Sequence, residues 1–151
     1  MVTGIKHMAI AVADVEASLR AFQRLLGVES NIQIRELATA KTREAHFKIG
    51  GVEFQLCQSV VPDGRFAVHI REHGEGLHHI CYSVPDAEIA LAASLAAGAE
   101  LKECAACKVK GAHRHSEGYV AFLTDKVAGI EIEFMQVYKP GEGPATDMRD
   151  R

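Results

Sequence analysis

The sequence predicts an α+β fold built from two tandem βαβββ modules, and two internal similarities lead to this prediction. The stretch HMAIAVADVEASL (residues 7–19) aligns with HICYSVPDAEIAL (residues 79–91) at an offset of 72 residues. Further along, GGVEFQLCQ (residues 50–58) resembles AGIEIEFMQ (residues 128–136). A repeat of this kind indicates that one structural unit occurs twice, so both halves are expected to contain the same elements in the same order.

Each module opens with a predicted strand and a predicted helix. The strands end at Asp14 and Asp86, whose short carboxylates are suited to cap a helix. Gly27 and Gly98 stand where the helix C-caps are expected. Before the closing strands, the predicted inner strands are SNIQIREL and EAHFKIG in the first module and AELKEC and EGYVAFL in the second.

These elements divide the chain into one domain, residues 1–137, and a tail, residues 138–151. Within the domain we expect modules at about 5–58 and 78–137. The linker between them, residues 59–77, is expected to hold a short helix between its glycines. The tail KPGEGPATDMRDR is charged and rich in Gly and Pro, which predicts poor order.

Composition and charge disfavour several classes of partner. The chain is 48% hydrophobic and 25% charged, as is usual for globular proteins. Its net charge of −3 and pI near 6.2 give no reason to expect nucleic acid or an anionic membrane as partner. No run approaches the roughly 20 apolar residues that span a bilayer, and the N-terminus lacks a cleavable signal pattern. We therefore expect a cytoplasmic protein.

Strand alternation selects four candidate metal ligands. The bulky residues of each strand are expected to pack under the helices, which leaves His7, Gln55, His79 and Glu133 on the opposite faces. Two imidazoles, a carboxamide oxygen and a carboxylate suit a divalent first-row metal. A histidine at a strand start is more often structural, and a glutamate on one strand face is ordinary patterning. The occurrence of two candidates in each repeat favours the metal interpretation.

The cysteines and one histidine-rich loop have no assigned role at this stage. Cys104 and Cys107 form a CxxC, but a structural zinc site would need a second pair of ligands, and the cysteines supply none at suitable spacing. We interpret this pair as an incidental loop or strand end. The stretch KGAHRHSEGYVAF brings His113, Arg114 and His115 to what is expected to be the rim of a pocket. Arg114 would suit a carboxylate or phosphate there, and the alternative is a solvated loop.

Several stretches together resemble the vicinal oxygen chelate superfamily, which contains glyoxalases, bleomycin resistance proteins and dioxygenases. The matching stretches are IKHMAIAVADVEASLRAFQRLLGVE, GGVEFQL, FAVHIREHGEGLHHICYSVPDAE, KGAH and GIEIEFMQ. They reach over most of residues 5–136. Within the superfamily, GEGLHHI after a linker helix is most similar to the methylmalonyl-CoA epimerases. This resemblance implies paired modules that form a cupped mixed sheet around a metal site.

The resemblance also implies a chemistry for the site. The family's metal ligands fall on His7, Gln55, His79 and Glu133, and the metal is typically cobalt, zinc, manganese or nickel. The implied substrate is an acyl-CoA, from which a base removes a proton next to the thioester carbonyl. Glu133 is the candidate base. A homodimer is expected from the family.

One position departs from the epimerase pattern. The family supplies a second catalytic glutamate just before its third strand, where this chain reads ELATAKTREAHF with Ala, Thr and Lys at the corresponding place. Glu44 or Glu36 substitutes if the loop is threaded differently, and the alternative is that both are exposed strand residues. The candidate catalytic residues are therefore Glu133 and Glu44.

Three other functions remain as alternatives. A glyoxalase I-like lactoylglutathione lyase would use similar metal chemistry, but the linker is epimerase-like. An extradiol dioxygenase would place Fe(II) on two histidines and a carboxylate, but the chain lacks that family's usual extra domain. A non-catalytic small-molecule-binding module of the same superfamily is disfavoured by the absence of Trp and the aromatic content of 6%.

Overall fold

The structure is a computed structural model, and it describes residues 1–144. The tail predicted for residues 138–151 therefore falls partly outside the described residues. Among residues 1–144, no helix is both long and apolar enough to cross a membrane. In chain order the elements are β1 (Gly4–Ala11), α1 (Val15–Leu26), β2 (Ile34–Leu37), β3 (Thr42–Ile49), β4 (Val52–Ser59), α2 (Arg65–His73), β5 (Gly76–Ser83), α3 (Ala87–Ala96), β6 (Leu101–Lys102), β7 (His113–Arg114), β8 (Gly118–Val127) and β9 (Ile130–Val137).

The element order confirms the α+β class and the repeated modules. The first module is β1-α1-β2-β3-β4, which is the predicted βαβββ order. The second has the same order with one addition, the two-residue strand β7, which pairs with β8. The predicted linker helix is α2, and it lies between Gly64 and Gly74.

The contacts divide the chain into two compact units. One unit is His7–His79, and the other consists of Met1–Lys6 and the chain from Ile80 onward. The division falls within β1 and within β5, the strands that open the two modules.

In the unit formed by residues 7–79, the strand order is β2-β3-β4-β1. β1 and β4 are parallel, and the other two pairings are antiparallel. Helix α1 begins where predicted, because the Asp14 carboxylate accepts a hydrogen bond of 2.9 Å from the Ala17 N–H. The buried side of α1 packs on one face of this sheet, against Ala45, Phe47 and Leu56.

The opposite face of the same sheet carries the polar candidates. In the parallel pairing, His7 is opposite Glu53 and Ala9 is opposite Gln55. Beyond the histidine, β1 has only small side chains on this face, and α2 covers them with the fully buried ring of Phe66. The linker helix thus shields this part of the face, around Ala9, Ala11 and Cys57, from solvent.

In the other unit, the strand order is β5-β9-β8-β6. Helix α3 is capped like α1, because the Asp86 carboxylate accepts a hydrogen bond of 2.8 Å from the Ile89 N–H. The predicted C-cap at Gly98 is one residue too late: Ala97 is the cap, and Gly98 follows with a φ of 95°. The helix packs with Ala87, Ala90 and Leu91 against Ala121, Leu123 and Phe134.

Candidate active site

Two histidines from the opening strands of the two modules lie side by side. His7 in β1 and His79 in β5 are each 5% exposed. Their Nε2 atoms are 3.4 Å apart, and their rings are inclined at 76°. Two nitrogens that bind one ion at about 2.1 Å cannot be more than about 4.2 Å apart, so this pair fits a shared metal ion. The sequence repeat predicted their equivalence, and the structure brings them together.

His78 fixes the orientation of His79. The Nδ1 atoms of the two adjacent rings are 2.9 Å apart, so one of them donates a hydrogen bond to the other. When the His79 Nδ1–H donates, the lone pair of its Nε2 points toward His7. Metal-binding histidines commonly use their second nitrogen in this way. His78 is itself 3% exposed and packs edge-on against Phe66, with 4.8 Å between ring centroids.

Gln55 lies in β4 on the same face as His7. It is opposite Ala9 in β1 and opposite His46 in β3. Its amide nitrogen donates a hydrogen bond of 2.8 Å to the Glu53 carboxylate. This bond sets the orientation of the carboxamide and leaves its oxygen as the atom that a cation would bind.

Glu44 is buried on this face of the sheet, in contact with His46. The side chain of Glu44 is 11% exposed, and its Oε1 is 3.0 Å from the His46 Nε2. Burial acts to raise the pKa of Glu44, but the His46 hydrogen bond and charge and the positive charges of Arg35 and Arg65 outweigh it and lower that pKa. Glu44 is therefore ionised at neutral pH.

The position of Glu44 settles one of the alternatives left by the sequence. Glu44 is 8% exposed as a whole residue, so it is not an exposed strand residue. Glu36 is exposed in β2, in agreement with its interpretation as an exposed strand residue. His46 and Glu53 were missed by the sequence reasoning. They stand two residues from Glu44 and Gln55, and the same alternation places them on one face.

Glu133 belongs to the other unit, where it lies in β9 opposite Phe122 of β8. It is 6% exposed. Burial raises the pKa of the nearby Cys81 thiol, and the negative charge of Glu133 raises it further. Cys81 is therefore a neutral thiol at physiological pH, and it adds no negative charge beside the carboxylate.

The structure thus combines repeated α+β modules with a buried pair of facing imidazoles, a donor type that suits divalent first-row metals. A family model described as the Glyoxalase/Bleomycin resistance protein/Dioxygenase superfamily matches residues 6–122. The chain therefore belongs to this superfamily, as its motifs predicted. A comparison with curated proteins found no match.

Solved structures share the fold over most of the chain. The methylmalonyl-CoA epimerase from Mycobacterium tuberculosis is 21% identical with a TM-score of 0.75, over 92% of this chain and 91% of that one. A methylmalonyl-CoA epimerase in complex with methylmalonyl-CoA and NH4+ is 24% identical with a TM-score of 0.74, over 91% and 96%. A hypothetical protein from Bacillus halodurans C-125 is 23% identical with a TM-score of 0.71, over 92% and 97%.

Proposed function

We propose that this chain is a metal-dependent isomerase that removes and returns a proton next to the thioester carbonyl of an acyl-CoA, with methylmalonyl-CoA as the first candidate substrate. The observation that carries the proposal is the buried His7–His79 pair, whose Nε2 atoms are 3.4 Å apart, in a member of this superfamily. Structural neighbours named as methylmalonyl-CoA epimerases support the choice of substrate.

The residues that would hold the metal are His7, Gln55, His79 and Glu133. Both histidines and Glu133 are buried, and each offers a ligand atom. This set of nitrogen and oxygen donors suits cobalt, zinc, manganese or nickel. A divalent ion bound there would stabilise the negative charge that develops on the thioester oxygen as the proton leaves.

Inversion at carbon requires that a proton leaves one side of the substrate and returns on the other, which two carboxylates achieve most simply. Glu133 and Glu44 are assigned to these two roles. Glu44 is supported by its ionised state and by its place on the same face as His7 and Gln55. A carboxylate with a lowered pKa is a weak base, so Glu44 acts only on a carbon acid that the site has made more acidic. His46 beside it stabilises the carboxylate between transfers.

Arg65 is suited to hold the free carboxylate of a malonyl-type substrate. It begins helix α2, and its positive charge is near enough to lower the pKa of Glu44. Its Nε is shielded from solvent, and among the described residues it has no hydrogen-bond partner. We expect R65Q to raise KM for methylmalonyl-CoA about 10- to 100-fold, the cost of one charged hydrogen bond. R65K should recover part of the loss, and an unchanged KM in R65Q would contradict this role.

The decisive experiment follows methylmalonyl-CoA in D2O with the metal-loaded protein. Epimer formation with deuterium uptake at the α-carbon is expected, and both should be lost after chelation and restored by added metal. E44Q and E133Q should each abolish inversion, because each removes one of the two proton-transfer groups. E36Q is the matched control, since Glu36 is exposed in the neighbouring strand. Absence of any exchange in the metal-loaded protein would reject the proposed substrate class.

A further inference from the structure

The second module holds another cluster of metal-binding side chains. Cys104, Cys107 and His113 place one ligand atom each within 4.8 Å of one another. We propose that these three residues bind a zinc ion. The site consists of two thiolates and one imidazole in the spacing C-x2-C-x5-H, and all three are ligand types that zinc binds.

The backbone around the CxxC directs a hydrogen-bond donor at the first sulfur. A bridge between Glu103 and Lys110 closes the loop, and the Cys104 N–H donates a hydrogen bond of 2.9 Å to the Val109 carbonyl. The Cys107 N–H lies 3.4 Å from the Cys104 sulfur and donates to it. Peptide N–H groups at a sulfur favour the thiolate, which is the form that binds metal.

A sharp turn after the second cysteine supports this arrangement. Lys108 has a φ of 59°, a left-handed conformation that residues other than glycine rarely adopt. The Lys108 N–H donates a hydrogen bond of 2.9 Å to the Cys104 carbonyl and so closes the turn on the first cysteine. A strained backbone of this kind persists where its surroundings fix it.

His113 is prepared as a ligand through its Nε2 atom. Its Nδ1 is 2.9 Å from the Gly111 carbonyl, to which it donates a hydrogen bond. The lone pair of the neutral ring is then on Nε2. That atom is shielded from solvent and makes no hydrogen bond to the described residues. A buried nitrogen acceptor without a hydrogen bond fits a metal ligand, because the ion would satisfy it.

His115 follows the last residue of β7, and its Nδ1 lies 3.1 Å from the Ser116 hydroxyl. The ligands of the proposed site are therefore the three residues whose ligand atoms lie together, namely Cys104, Cys107 and His113.

The proposed zinc site differs in chemistry from the proposed active site. The active-site donors are nitrogen and oxygen, whereas two of the three protein donors here are sulfur, and soft thiolates select zinc. A bound ion would tie the loop after β6 to β7, and that segment carries Arg114, whose guanidinium lies 5.6 Å from the centroid of the Tyr119 ring. The role of this ion is therefore to hold the loop in place.

Cobalt(II) substitution tests the proposal, because sulfur ligands give cobalt a charge-transfer absorption that nitrogen and oxygen ligands do not. We expect this band in the reduced full-length protein, and we expect C107S and H113Q to weaken or abolish it. C57S is the matched control, since Cys57 is a buried cysteine outside the cluster. Circular dichroism of each variant shows that it is folded.

Two further results separate this proposal from the proposed function. The double variant H7A/H79A should keep the charge-transfer band while it loses one bound ion. The double variant C104S/C107S should lose the band while the proposed active site still binds its ion. A reduced, folded protein with no such band would overturn the zinc site and leave the isomerase proposal standing. A band of unchanged intensity in C107S would overturn it as well. So would a Cys104–Cys107 disulfide in a protein whose reduced form binds no metal at this cluster.

Discussion

His78 forms a hydrogen bond with its neighbour in the sequence, the candidate metal ligand His79. The motif GEGLHHI contains two adjacent histidines, and alternation in β5 sends them to opposite faces. Even so, the Nδ1 atoms of His78 and His79 meet at 2.9 Å. The first histidine thus orients the second, which faces His7.

We expect H78Q to weaken metal binding at the proposed active site about 10- to 100-fold. A residue that forms a hydrogen bond with a metal-binding histidine sets the tautomer and orientation of that ring. Isothermal titration calorimetry of the apoprotein with zinc or cobalt measures the effect. H73Q is the control, since the His73 side chain is 55% exposed at the end of α2. Equal affinities in H78Q and the unchanged protein would show that His79 does not depend on His78.

Glu44 makes the stability of the protein depend on pH. Its pKa in the folded protein is below the ordinary value of 4.5. Such a group stabilises the folded state at pH values above its unfolded pKa, and the contribution is lost as the pH falls through the folded pKa. We expect E44Q to be roughly 1–2 kcal/mol less stable than the unchanged protein at neutral pH.

That difference should shrink as the pH falls below about 4.5, because the unchanged protein then protonates Glu44 and loses the same interaction. Urea unfolding of both proteins at several pH values measures it. E36Q serves as the exposed control. A difference that stayed constant down to the acid limit would show that the stabilisation does not come from the charge of Glu44.

At the scale of elements, β8 and β9 depend on one glycine. A Cβ atom built at Gly118, the first residue of β8, would lie 2.2 Å from the Gln136 carbonyl oxygen and 2.9 Å from its carbon. Both atoms are backbone, so the neighbouring strand would have to move. The close approach starts the long antiparallel pairing that positions Glu133.

G118A should therefore destabilise the protein by more than about 2 kcal/mol, as expected for a steric conflict that side-chain motion cannot relieve. G51A is the matched control, because nothing lies within 4 Å of the Cβ position there, and its effect should stay within about 0.5 kcal/mol. Thermal or urea unfolding gives both values. Similar stabilities for the two variants would mean that β9 adjusts to the added methyl group.

The additional strand β7 explains why the sequence alone led us to interpret Cys104 and Cys107 as an incidental loop or strand end. The cysteines of the sequence include no second pair at suitable spacing, whereas the proposed third ligand, His113, is a histidine. The spacing C-x2-C-x5-H is the sequence signal for this set of ligands. The strand that carries this histidine, β7, is the element that the repeat did not predict.

At the scale of the whole molecule, the superfamily leads us to expect a homodimer. Most soluble oligomers of a single chain are symmetric dimers, and pairing covers strand edges that would otherwise expose unbonded backbone groups. Sedimentation equilibrium over a range of micromolar concentrations should give twice the mass of the chain, which is 16.4 kDa. A constant mass of one chain at all these concentrations would reject the dimer.

The sequence by itself determined the features that depend on near neighbours along the chain. The repeat predicted two modules, Asp14 and Asp86 marked the helix starts, and alternation placed His7 and Gln55 on one face. These inferences succeed because helix caps and strand faces depend on residues within a few positions of one another.

Only the tertiary structure decided which distant residues meet. The register of β3 against β4 sets Glu44 opposite Cys57 and His46 opposite Gln55, and the loop after β6 brings Cys104 and Cys107 to His113. Neither arrangement follows from alternation within one strand, because the first depends on strand register and the second on the path of an irregular loop. Register is set by the packing of a whole face, so the partners of these buried charged and sulfur groups become apparent only when the chain is folded.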